Sequence, residues 1–92
     1  MAYNESMSHE GHQYEWNQWR DMIRKCYHPA AKYYSKYGGR GIGVCQPWKE
    51  SFDNFLKDMG HAPPGAVLRR KETGQGFRPE NTFWGAINGG DS

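Results

Sequence analysis

The sequence predicts one small α+β domain: two helices around a glycine loop, then a C-terminal β-hairpin with a short helix. Three observations carry this expectation. Apolar residues recur at helical spacing in two separate stretches, one from Trp16 to Cys26 and one from Trp48 to Met59. A glycine-rich segment divides those stretches, and short strand-like runs bounded by turn residues follow the second. The chain has 92 residues, room for one domain near the lower limit for a self-sufficient core. That core must be aromatic, because Phe, Trp and Tyr total 14 whereas Ile, Leu and Val total 7. Large rings bury roughly 150–250 Å² each, which offsets the shortage of aliphatics. An aliphatic-packed sheet and a leucine-rich bundle are excluded.

Each element has its own local cause. Residues 1–11 are polar and aperiodic and read as a flexible tail. The helical pattern begins at Gln13. Trp16, Trp19, Ile23 and Cys26 line one face with Met22 beside them, and Arg20, Arg24 and Lys25 point away. Pro29 ends this helix, since the residue before a proline disfavours helical geometry. Residues 29–41 combine three tyrosines, three basic residues and three glycines, and the glycines prevent a long regular element. Ile42 to Cys45 is a short strand candidate. Pro47 precedes a second helix with the stripe Trp48, Phe52, Phe55 and Met59, stopped by Gly60. Residues 61–66 form a turn and 67–71 a strand. Residues 72–76 form a glycine-bearing turn, and 76–78 return as the second strand of the hairpin. Pro79, Glu80 and Asn81 open a short final helix or turn carrying Phe83 and Trp84. The domain is expected over 12–87, with a tail at 88–92, and no internal repeat is present.

Several functional classes drop out. No apolar run approaches ~18–20 residues, so no membrane-spanning helix and no membrane partner are expected. The N-terminus lacks the basic start and apolar stretch of a secretory signal, which points to the cytosol. Two cysteines, Cys26 and Cys45, are too few for a disulfide scaffold and are expected as reduced thiols. Together with His28 and His61 they offer zinc-type donors, but paired Cys-x-x-Cys or His-x-x-x-His motifs are lacking. No cofactor is therefore expected. His9 and His12 fall at the N-terminal tail and are assigned no specific role. No signature of nucleophilic catalysis surrounds Cys26 and His28.

Net charge is only +2, but its placement is uneven. Arg20, Arg24, Lys25, Lys32, Lys36 and Arg40 against Asp21 give segment 20–40 a local +5. Arg69, Arg70, Lys71 and Arg78 against Glu72 give segment 69–78 a local +3. Two such segments on one face attract phosphates, and on separate faces they merely keep the surface solvated. The loop from Tyr37 to Ile42 reads either as a backbone cradle for phosphate with Arg40 as a fork, or as a structural turn. Tyr33, Tyr34 and Tyr37 either stack on bases or complete the core. On a strand Arg69 and Lys71 share a face and Arg70 takes the other, and charge there also protects an edge from aggregation. The candidate contacts to nucleic acid or a protein partner are therefore Arg20, Arg24, Lys32, Lys36, Tyr37 and Arg40, with Arg69, Arg70, Lys71 and Arg78 as the second patch.

A more specific pattern runs through Trp19-Arg20-Asp21-Met22, Lys25-Cys26, Tyr37-Gly38-Gly39-Arg40-Gly41-Ile42 and Val44-Cys45. It continues with Trp48, Ser51-Phe52, Phe55, Asp58-Met59-Gly60, Pro63, Gly65, Leu68, Arg70, Gly74, Pro79-Glu80-Asn81 and Trp84. Over residues 14–84 this resembles a family of small phage and bacterial proteins related to HNH homing endonucleases. The resemblance implies a degenerate HNH, ββα-like fold. The nuclease version sets an acid and a His on a strand and holds a divalent metal with a later Asn or His. Here the acid position maps onto Arg69 and the His position onto Arg70, the next acid is displaced to Glu72, and the chain ends soon after Trp84. A cation at a ligand position repels Mg²⁺. What the resemblance implies is a non-catalytic, phage-type nucleic-acid-binding protein with no catalytic residues. A first alternative is a phage-encoded inhibitor, an anti-CRISPR or other anti-defence protein, that binds a host protein handling nucleic acid. A second is a residual metal-dependent HNH nuclease.

Overall fold

The computed structural model describes residues 11–86. Apart from Gly11, the tails expected at 1–11 and 88–92 lie outside the described residues. Helix α1 (Gln13–Tyr27) buries Met22 and Cys26, and Trp16, Trp19 and Ile23 pack against the same core from its margin. It stops where Pro29 requires: His28 is extended, with φ −109° and ψ 105°. Two single 3₁₀ turns follow, Tyr34–Lys36 and Gly38–Arg40, and Gly41 closes the second in the left-handed region at φ +86°. Gly38 is needed for close approach. A Cβ there would sit 2.2 Å from the Cys26 carbonyl oxygen and 2.4 Å from the Tyr34 ring.

The predicted second helix is two helices, α2 (Gln46–Glu50) and α3 (Phe52–Met59). Pro47 lies inside the first turn of α2 rather than ahead of it. The break is at Ser51, which is extended at φ −153° and whose hydroxyl accepts the Asn54 N–H at 3.3 Å. Asn54 also donates its side-chain amide to the Pro47 carbonyl at 3.1 Å, tying the two helices at their corner. The apolar stripe survives the break. Trp48 on α2 and Phe52 and Phe55 on α3 are all fully buried.

Strands β1 (Ala66–Arg70) and β2 (Thr82–Ala86) pair antiparallel, with Leu68 opposite Trp84 and Arg70 opposite Thr82. The hairpin exists, but its second strand is 82–86 and not 76–78, and no final helix forms at Phe83 and Trp84. Two causes decide this. Phe77 is buried and pairs with Val44 in an isolated parallel bridge, with the Phe77 N–H donating to Gly43 O at 2.8 Å. The strand predicted over Ile42 to Cys45 reduces to that bridge. Asn81 is the second cause. It is 3% exposed, and its amide donates to the carbonyls of Glu72 (3.2 Å) and Gly76 (2.9 Å). Its oxygen accepts the Glu72 N–H at 2.9 Å, so residues 71–81 close into one stitched loop. From there the chain alternates as a strand. Thr82 is buried, Phe83 is exposed, and Trp84 turns in to meet Phe55 at 6.2 Å.

The core is built from rings in edge-to-face contact, Trp48 on Phe55 at 5.0 Å and Trp16 on Phe52 at 5.2 Å. Its indole N–H groups find acceptors. Trp48 donates to Asp58 at 2.8 Å, Trp19 to the Trp48 carbonyl at 2.8 Å and Trp84 to the Met59 carbonyl at 2.9 Å. Among the described residues no helix is long and apolar enough to cross a membrane.

Candidate nucleic-acid interface

The fold brings the two basic segments together at Tyr37. This residue joins the two 3₁₀ turns, and its carbonyl accepts from Arg40 at 3.0 Å and Ile42 at 2.9 Å. Its ring lies stacked 6.1 Å from Phe77. The Lys25 ammonium stands 4.6 Å from the ring centroid and the Arg70 guanidinium 5.2 Å, one cation from each segment. A cleft of about 250 Å³ opens beside them, lined by Tyr37, Leu68, Arg69, Arg70, Thr73 and Phe77.

The ten predicted contact residues divide into exposed cations and braces. Arg20 and Arg24 stand exposed one turn apart on α1. Arg24 shares a second cleft, of about 190 Å³, with Lys32 and Tyr33. Lys36 and Arg40 are exposed on the following turns, with Arg40 reaching back to the Lys36 carbonyl at 3.4 Å. Lys71 is exposed at the start of the stitched loop. The other three arginines are engaged. Arg70 donates to the carbonyls of Thr73 and Gln75, the latter at 2.8 Å, and covers the Phe77 ring at 5.1 Å. Arg69 donates to the Ala86 carbonyl at 3.2 Å, and its stem fills the space a Cβ at Gly85 would occupy. Arg78 pairs with Glu80 at 2.9 Å and donates to the Gln75 side chain at 2.9 Å.

The three tyrosines also separate. Tyr33 is 46% exposed, with Lys32 at 5.3 Å and Lys36 at 5.8 Å from its ring centroid. Tyr34 packs over Gly38, and Tyr37 packs against the core. The Gly-rich loop turns its amides inward: Arg40 and Ile42 donate to Tyr37, and Gly41 to Gly38. Those three donors are unavailable to a phosphate.

Burial pushes the Cys26 thiol up to about 11, although Lys25 and Arg70 act in the opposite direction. Burial also raises Cys45, and the carboxylates of Asp58 and Glu80 add to the rise. Among the described residues Cys26, Cys45, His28 and His61 do not gather into a metal-ligating group.

A different cluster escaped the sequence reading. Glu15, 3% exposed in the first turn of α1, accepts the Ala62 N–H at 2.7 Å and lies 3.3 Å from His61 Nδ1. His12 Nδ1 stands 3.8 Å from its other oxygen, and the two imidazole centroids are 4.3 Å apart. Burial works to raise the Glu15 carboxyl, but the Ala62 N–H, its own backbone N–H and His61 together outweigh it and hold it below the usual carboxylate range. The spacing of His12 and Glu15, three apart at a helix start, is visible in the sequence. Nothing in the sequence brings His61 to them. Comparison with protein-family models, curated proteins and solved structures finds no match to this chain.

Proposed function

We propose that the chain is a non-catalytic, phage-type nucleic-acid-binding protein derived from an HNH-like fold, contacting phosphates with little regard to sequence. The observation that carries this reading is the meeting of both basic segments at Tyr37, with Lys25 and Arg70 over one ring. From there Arg20, Arg24, Lys32, Lys36 and Arg40 supply exposed cations, and Lys71 extends the face past β1. Tyr33 is the stacking platform, an exposed ring flanked by two lysines. Arg69, Arg70 and Arg78 hold the loop and strand edge in shape. Arg69 and Arg70 map onto the positions where a nuclease of the resembled family would need its acid and His, which supports binding without cleavage.

Fluorescence anisotropy with labelled single- and double-stranded DNA and RNA tests the reading. Affinity is expected to fall linearly in log–log form with salt, with a slope of about −5 for duplex DNA and about −4 for single strands if all six exposed cations contact phosphate. Arg40→Glu should weaken binding to every sequence alike. Plasmid DNA incubated with Mg²⁺ or Mn²⁺ should remain uncut. Absence of binding to all these ligands at about 50 mM salt, where electrostatic affinity is strong, sinks the proposal. A host protein retained after nuclease treatment of a lysate would then favour the inhibitor reading.

A further inference from the structure

We propose that His12, Glu15 and His61 form a binding site for one zinc-class divalent ion. The site uses none of the residues assigned to phosphate binding, so the two readings stand or fall separately.

The donor set is two imidazole nitrogens and one carboxylate, a combination that suits zinc and its neighbours and not Mg²⁺ or Ca²⁺, which prefer oxygen. Local structure assembles it. His12 is the N-cap residue of α1, and Glu15 follows one turn on, so both side chains reach the same side. Gly60 ends α3 at φ +67° and swings the chain back, which carries His61 over the start of α1. The ligand atoms of all three residues lie within 4.8 Å of one another. Bonds of about 2.0–2.2 Å in tetrahedral geometry place neighbouring ligand atoms roughly 3.4 Å apart. The observed separations of 3.3 Å and 3.8 Å to the two carboxylate oxygens already approach that spacing.

Three further features point to a cation. Glu15 is a buried carboxylate that, among the described residues, has no Lys or Arg within ion-pair distance and faces two imidazole nitrogens instead. His12 Nδ1 is buried with no hydrogen-bond partner, an arrangement a coordinated ion would satisfy. The Ala62 N–H, at 2.7 Å from Glu15, fixes the carboxylate as an outer partner does in metal sites. Access is open. The His61 side chain is 70% exposed, and a cleft of about 310 Å³ shares Glu15 and Ala62 with the cluster. Three protein ligands leave a fourth position for water.

The test uses the untagged full chain, titrated calorimetrically with Zn²⁺ and, as an optical probe, with Co²⁺. One ion per chain is expected, with visible Co²⁺ bands of tetrahedral type and a melting temperature that rises with Zn²⁺ and returns with chelator. His61→Ala and His12→Ala should each lower affinity at least about tenfold, the loss seen even for outer partners of metal ligands. Far-UV circular dichroism of the metal-free variants checks that they remain folded. If His12→Ala fails that check, His61→Ala decides alone, because its exposed side chain is not part of the core. Absence of Zn²⁺ and Co²⁺ binding overturns the proposal. So does parent affinity in either folded variant.

Discussion

Asn81 donates to the carbonyls of Glu72 and Gly76 and accepts from the Glu72 N–H while almost wholly buried. Shortening it leaves the Glu72 N–H and the Gly76 carbonyl without their partner, while the Glu72 carbonyl keeps the Gln75 N–H at 3.1 Å. Asn81→Ala should therefore destabilise the fold by about 3 kcal/mol, read as a lower urea midpoint at unchanged m-value. Cys26 gives a chemical prediction. A thiol raised to about 11 stays protonated throughout the neutral range, and only the thiolate attacks alkylating agents. Iodoacetamide at pH 8 should label Cys45, which is half-buried, before Cys26, and both should react promptly in urea. Mass spectrometry against time checks the order. Prior labelling of Cys26 in the folded chain would contradict it.

Helix α1 and its end at Pro29 were readable in the sequence, because a repeated spacing and a proline are both local signals. The break between α2 and α3 was not. The stripe through Trp48, Phe52 and Phe55 runs on as though continuous, while the stop depends on one hydroxyl at Ser51. Ser51→Ala should cost about 1 kcal/mol in chemical denaturation, and Ser51→Asp should retain most of the cap. The hairpin was misread for a similar reason. Residues 76–78 and 82–86 both resemble strands locally, and the choice is made by tertiary contacts, Phe77 with Val44 and Asn81 with its loop. The glycine loop shows how packing refines composition. Gly38→Ala drives a Cβ to 2.2 Å from the Cys26 carbonyl oxygen and should lower stability by about 1–3 kcal/mol. Gly74→Ala, with open space around its Cβ position, should be neutral or slightly stabilising. Melting temperatures of the pair test the contrast. In the candidate interface the charges were readable, but not the division into exposed cations such as Arg40 and braces such as Arg70. That division depends on carbonyls the loop presents only once folded.

A single aromatic core joins α1, α2, α3 and β2, and all four tryptophans lie in it or against it. Unfolding should therefore be one cooperative step, with tryptophan fluorescence and far-UV circular dichroism giving coincident transitions. Separate midpoints would show that the sheet melts apart from the helices. The stitched loop also bears on the order of assembly. β1 and β2 are joined by the eleven residues 71–81, far longer than a tight turn from which a hairpin zips. Strand pairing must await closure of that loop, and Asn81 is what closes it. If closure belongs to the rate-limiting step, Asn81→Ala will slow refolding and leave the unfolding rate nearly unchanged, and Ser51→Ala will do so only if the α2–α3 corner forms equally early. The kinetic partition of these two substitutions would then identify the loop, rather than the helices, as the part of the chain that sets the pace of folding.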